Sequence, residues 1–205
     1  MRKFLKYLFI IILLFVITAA VCTFAFTENT KIITLERSVE INAPKERVFE
    51  YISHTENKTK WINPDKKMER STTGKDAAVG FVRSWESQNP PEKGSETITK
   101  IELGKSVETK VENNLNGQQT SSEQKLSSES LESNKTLVTW KIESTIPLNF
   151  ASRMLLGFVE MMAKSVDNQD AYDKGVQSGL EKEGVYKDAD ENLQKLKNNI
   201  EIMTK

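Results

Sequence analysis

An unbroken apolar run, Tyr7–Phe26, governs what this chain can become. It holds no charge, and nearly every residue in it is aliphatic, aromatic or small. Wound as a helix rising 1.5 Å per residue, it would reach about 30 Å, the depth of a bilayer's hydrocarbon core. The apolar core of a cleaved signal peptide is shorter, about 7–15 residues. Thr23-Phe24-Ala25 also makes a poor small-x-small cleavage site. An uncleaved single-pass membrane anchor is therefore expected. Arg2, Lys3 and Lys6 precede the run, while Glu28 and Lys31 follow it. The positive-inside rule then puts the N-terminus in the cytoplasm and the body on the extracytoplasmic face. Cys22, the single cysteine, lies inside the run, so no intrachain disulfide is available.

The rest of the chain is polar. The expected organisation is a basic stub and anchor at 1–26, a short tether at 27–31, and one domain over 32–205. Roughly 180 residues are enough for a sizeable core. Lys+Arg and Asp+Glu both number 29, so the formal charge is zero. No basic surplus exists to neutralise phosphates, and nucleic acid is not expected as a partner.

Periodicity divides the body. Ile33, Leu35, Val39 and Ile41 share one parity, which predicts a half-buried strand. Asn42-Ala43-Pro44 closes it, with Asn42 a candidate N-cap and Pro44 in the first turn of a short helix carrying Val48, Phe49, Tyr51 and Ile52. A second helical turn around 57–62 carries Trp61, and Asn63-Pro64-Asp65 breaks it. From Met68 to Ser144 alternating strands follow, with turn signals every dozen residues or so, the pattern of an antiparallel meander. The Ser-, Asn- and Gln-rich stretch 113–133 reads as a polar-faced hairpin. After Pro147 the period becomes helical: Met154, Leu155, Phe158, Met161 and Met162 form a broad apolar stripe, and Leu193, Leu196 and Ile200 a narrower one.

Several of these segments carry a likeness. Glu36-Arg37-Ser38-Val39-Glu40-Ile41-Asn42-Ala43-Pro44, running on through Tyr51-Ile52, leads it. Trp61-Ile62-Asn63-Pro64, Val79-Gly80-Phe81 with Ser84-Trp85-Glu86, Gly94–Thr99 and Thr136-Leu137-Val138-Thr139-Trp140 follow. Together they resemble the SRPBCC superfamily, the START-like and polyketide cyclase/dehydrase-like proteins, over about residues 33–162. Bacterial members with one N-terminal anchor look particularly similar. The resemblance implies an α+β helix-grip fold: a curved antiparallel sheet wrapped around a long C-terminal helix, with two short helices after the first strand. It also implies an apolar cavity between sheet and helix that takes lipid-like or other hydrophobic small molecules. The thirty or so residues between Met162 and Leu193 stretch the family's usual ending.

Candidate chemistry is sparse. His54 is the only histidine and the body has no cysteine, so the usual N/S metal ligands are missing, and no metal or cofactor is expected. Neither a Gly-x-Ser-x-Gly elbow nor a phosphate loop is present. No catalytic residue is assigned. The expected ligand-binding set is Trp61, Phe81, Trp85, Trp140, Met154 and Phe158 as pocket wall, with Arg37 and Arg83 at the rim. Both arginines share the parity of apolar neighbours, and a guanidinium offers paired donors to an anionic headgroup. A cyclase- or dehydratase-like alternative requires a buried carboxylate, with Glu69, Glu86 and Glu96 as candidates. A third possibility is a cavity-less, chaperone-like interaction module with an exposed apolar patch.

Overall fold

A computed structural model describes residues 2–26, 30–62, 64, 67–89, 91–115, 117–147 and 185–204. The chain forms two units, residues 1–31 with 147–179 and residues 32–146 with 180–205. In the first, helix α1 spans Arg2–Phe26. Phe9, Ile11, Leu14 and other large apolar side chains on it are exposed. Among the described residues, no helix is long and apolar enough to cross a membrane.

The second unit is built on seven strands: β1 (Thr30–Ile41), β2 (Glu69–Thr73), β3 (Val82–Gln88), β4 (Pro91–Glu102), β5 (Ser106–Leu115), β6 (Gln118–Glu132) and β7 (Lys135–Pro147). Their order is β1-β7-β6-β5-β4-β3-β2. Strands β2 to β7 form the expected antiparallel meander, and the polar stretch 113–133 is its β5–β6 hairpin. Register shifts at Ile98/Lys100 and at Ser130/Glu132 add local twist, which helps the sheet to curve. The three-residue β4–β5 loop needs one left-handed residue, supplied by Gly104 at φ +68°.

This order places β1 and β2 at opposite edges, so the chain between them must cross the sheet. It does so as α2 (Lys45–Ser53) followed by a 3-10 helix, Thr55–Lys60. Pro44, not Asn42, holds the N-cap position of α2. The Pro44 carbonyl accepts from the amides of Arg47 and Val48, both at 3.1 Å. Asn42 lies too far upstream to cap, and its own amide donates to Glu201 Oε1 at 2.8 Å. Thr136, fully buried on β7, fixes the entry to α2 by donating to the Ala43 carbonyl at 2.8 Å.

The last described element, α3 (Val185–Met203), carries Ala189, Leu193, Leu196 and Ile200 as one buried stripe. These side chains join Ile41, Val48, Ile52, Trp61, Leu126, Val138 and Trp140 in the main core. The grip among the described residues is thus made by the narrower of the two expected stripes. The broad Met154–Met162 stripe lies outside the described residues. A smaller core of Phe81, Ile98 and Val107 meets the main one through Phe49, which packs against both.

Leu196 is fully buried, and its replacement leaves a void under α3. We expect Leu196→Ala to cost about 2–5 kcal/mol, while Ile202→Ala, at an exposed position further along the same helix, stays within about 0.5 kcal/mol. Urea unfolding of the full chain, followed by emission of the buried Trp61 and Trp140, measures both.

Candidate functional site

Burial selects the site. Apart from Glu96 and Lys58, the buried polar residues are small hydroxylic ones. Glu96 lies on β4 two residues before Ile98, so strand alternation sends both to the inner face. Its direct cross-strand partner on β3 is Arg83, and Arg83 Nη2 donates to Glu96 Oε2 at 2.7 Å. The other oxygen, Oε1, accepts from Thr109 Oγ1 of β5 at 2.8 Å and from Lys58 Nζ. Lys58 arrives from the 3-10 helix. Three residues per turn eclipse positions i and i+3, so Thr55, Lys58 and Trp61 share one inward face, and all three are buried. Nζ of Lys58 also reaches Gln124 Oε1 at 3.4 Å, and the same Gln124 oxygen accepts from Trp140 Nε1 at 3.3 Å.

Electrostatics follow from this packing. Burial alone would push the Glu96 carboxyl up. The nearby Lys58 and Arg83 charges, with the Lys58 and Thr109 hydrogen bonds, override that and hold it below the usual carboxylate range. Burial pulls the Lys58 ammonium below the usual lysine range, against the attraction of Glu96, and the Arg83 charge adds to the lowering. Glu96 therefore stays ionised. Arg83 is 11% exposed, and its Nε is buried without a hydrogen-bond partner.

A cleft of about 140 Å³ opens beside this cluster. Its apolar wall is Ile62, Met68, Trp85 and Val111; its polar side is Arg70, Arg83, Glu92, Glu96 and Gln124. The pose of Trp85 depends on Gly94, its cross-strand partner. A Cβ at Gly94 would sit 2.4 Å from Trp85 Cζ2, so only glycine lets the indole lie over β4. The ring is fixed further by Nε1 donating to Glu92 Oε1 at 3.2 Å. The Arg83 guanidinium carbon is 5.5 Å from the ring centroid, within cation–π range.

Of the residues expected to bind ligand, Arg83 and Trp85 line this cleft. Trp61 and Trp140 pack edge to face with centroids 5.4 Å apart, inside the main core. Phe81 is enclosed by the smaller core. Arg37 faces the same side of β1 as Leu35, as its parity predicts, but it pairs with Asp190 of α3 at 3.4 Å. Met154 and Phe158 lie outside the described residues. Of the candidate carboxylates, Glu69 and Glu86 are exposed and Glu96 is buried. His54 caps α2 and pairs with Asp76 at 3.1 Å. Among the described residues, none of α3 lines this cleft. Leu193, Leu196 and Ile200 fill the space under α3 against the tryptophans.

Sequence reasoning missed Lys58, Gln124 and Met68. A three-residue period through Thr55, Lys58 and Trp61 was the available signal for the lysine. For Gln124 it was shared parity with the buried Leu126 and Ser128 on β6.

Comparison with known proteins agrees with this architecture. An uncharacterised Rhizobium leguminosarum protein superposes with a TM-score of 0.55 at 14% identity, covering 84% of this chain and 96% of that one. The Zhui aromatase/cyclase from Streptomyces sp. R1128 gives 0.54 at 10% identity, covering 85% and 97%. At such identities the likeness concerns the fold alone. No curated protein matches the chain by sequence. A family model described as polyketide cyclase / dehydrase and lipid transport matches residues 33–201, and the chain belongs to that family.

Proposed function

We propose that this protein binds a small apolar or amphipathic molecule in the cleft beside Arg83 and Trp85, without covalent chemistry. One observation carries the reading: an apolar wall of Ile62, Met68, Trp85 and Val111 meets a buried charge cluster at a single opening. That combination holds an apolar body and fixes a polar end, as small-molecule sites do. Membership of a family described by cyclase, dehydrase and lipid-transport roles supports the same reading.

A cyclase- or dehydratase-like reaction would run through Glu96, the one buried carboxylate of the three considered. Both its oxygens are already engaged, and its carboxyl is held below the usual range. Such a group is a poor proton donor and a weak base at neutral pH, which favours binding over acid–base turnover. The exposed large apolar residues described in the body, Ile32, Val79, Leu103, Leu131, Ile202 and Met203, are spread over β1, two turns, β6 and the end of α3, an ordinary surface pattern that gives little support to an interaction module.

We also infer that residues 7–26 hold the chain at a membrane, with the body on the extracytoplasmic side. The support is the uncharged run itself and the exposure of Phe9, Ile11, Leu14 and their neighbours on α1. A helix apolar on all sides calls for a non-aqueous surrounding. The ligand would then be drawn from, or delivered to, the bilayer beside the domain.

Native mass spectrometry of the full chain should reveal a co-purifying small molecule, and Gly94→Ala should abolish it by evicting the Trp85 indole. A protein that takes up no mass across a lipid and small-molecule screen would remove the binding reading. Glu96→Gln should cost about 3–5 kcal/mol at neutral pH, because two buried cations lose their counter-charge. Lys58→Met should cost far less, since Arg83 and Thr109 still satisfy the carboxylate. The folded Glu96 pKa lies below its unfolded value, so the unfolded chain binds more protons across the carboxylate range. Its stabilisation is complete above that range and is lost as pH falls through the folded value. The stability gap between wild type and Glu96→Gln, measured by urea unfolding at a series of pH values, should therefore narrow on acidification. For the anchor, alkaline carbonate washing should leave the full chain in the membrane pellet, and external protease should reach a C-terminal tag on intact cells. Release into the wash would dispose of the anchor.

A further inference from the structure

The charges around the cleft do not balance, and this points to what its occupant carries. Arg70 and Glu92 face the cleft with partners of their own, and Glu92 Oε1 is held back against the wall by Trp85 Nε1 at 3.2 Å and Asn113 Nδ2 at 3.4 Å. These two charges offset one another. What remains is Lys58 and Arg83 against Glu96 alone, two cations to one carboxylate. Both Glu96 oxygens are already engaged: Oε1 accepts from Lys58 and Thr109, and Oε2 accepts from Arg83. The surplus also has an unused donor, the buried Arg83 Nε. Lys58 is sealed behind Glu96 and does not line the cleft, whereas Arg83 does. An anion entering the cleft therefore meets Arg83.

Resting on the binding reading above, we propose that the cleft selects a monocarboxylate with a short apolar body, its carboxylate on the free edge of the Arg83 guanidinium and its body against Ile62, Met68 and Val111. Arg83 suits this role because one planar group serves two acceptors at once, Glu96 through Nη2 and the ligand through the edge that carries Nε. The ion pair with Glu96 and the Trp85 ring below hold that plane in place before the ligand arrives. The modest volume, about 140 Å³, sets the size of the body. It admits a small aryl or branched alkyl acid, or the head end of a longer chain.

The test uses 3-phenylpropanoate, its methyl ester and 3-phenylpropanol, titrated into the full chain in nanodiscs and read by tryptophan emission. Trp85 faces the cleft while Trp61 and Trp140 are enclosed in the core, so the response should vanish in Trp85→Phe. The acid should bind at least about tenfold more tightly than the ester or the alcohol, the discrimination a charge-assisted hydrogen bond provides. Arg83→Lys keeps the charge beside Glu96 but lacks Nε and the fork. It should lose most of that preference with little change in unfolding midpoint. Calorimetric titration of wild type with the same three compounds is independent of any variant's folding. Saturable binding of the ester or alcohol with no preference for the acid would overturn the carboxylate assignment and leave the binding reading standing. Failure of all three to bind would overturn both.

Discussion

Everything in the described body answers to one buried carboxylate. A carboxylate withdrawn from water costs several kcal/mol unless partners surround it. Glu96 has them from three directions: Arg83 across the β3–β4 ladder, Thr109 across β4–β5, and Lys58 from above the sheet. The last of these reaches farthest. It pins the 3-10 helix over the middle of the sheet, and one turn further that element drops Trp61 against Trp140. The crossing from the β1 edge to the β2 edge is thus held at a polar point by Lys58 and at an apolar point by Trp61. These two side chains are three residues apart on one eclipsed face. Neither contact forms without the other being close to formed.

The same cluster divides the inner face of the sheet. Toward β6, β7 and α3 the residues are bulky and apolar, and Leu126, Val138, Trp140, Leu193 and Leu196 pack together in the main core. Toward β3 and β4 the inward positions carry Arg83, Glu96 and Trp85, with Gly94 beneath the indole. Charged groups cannot be packed over by apolar side chains without losing solvation, so the face stays open where they stand. Cleft and core are two outcomes of one strand alternation, separated by which residues occupy the inward parity.

How much of this the sequence disclosed depends on range. Alternation is local, and it delivered the meander, the Ser-rich hairpin, the inward parity of Arg37 and Arg83, and the stripe Leu193, Leu196 and Ile200. Glu96 stood among the three candidate carboxylates, and only burial could choose between it and the exposed Glu69 and Glu86. Phe81 and Trp140 share the inward parity of pocket residues and Trp61 the inward face of the 3-10 helix, yet neither says whether another element covers them; α3 and α2 do. Lys58 was invisible for a different reason. Lysine is the residue least expected inside, and its burial is decided by Glu96, thirty-eight positions away in the chain. Asn42 was misplaced as a cap because its amide had a more distant partner, Glu201.

The placement of the charges also decides where this site can change. Arg83 belongs at once to the cleft wall and to the Glu96 cluster, so removing its charge breaks a buried ion pair. Glu96 is bound by a stronger constraint, since removing it leaves two buried cations without their counter-charge. Ile62, Met68 and Val111 carry no such double duty; each is only partly buried, and each faces the opening. Substitution there reshapes the apolar wall at the modest cost of a surface-facing hydrophobic change. The polar end of the site is therefore fixed by the stability of the fold, and the apolar end is free to vary. In the proposed site, the charged end thus stays constant while the apolar wall can change by a few methyl groups.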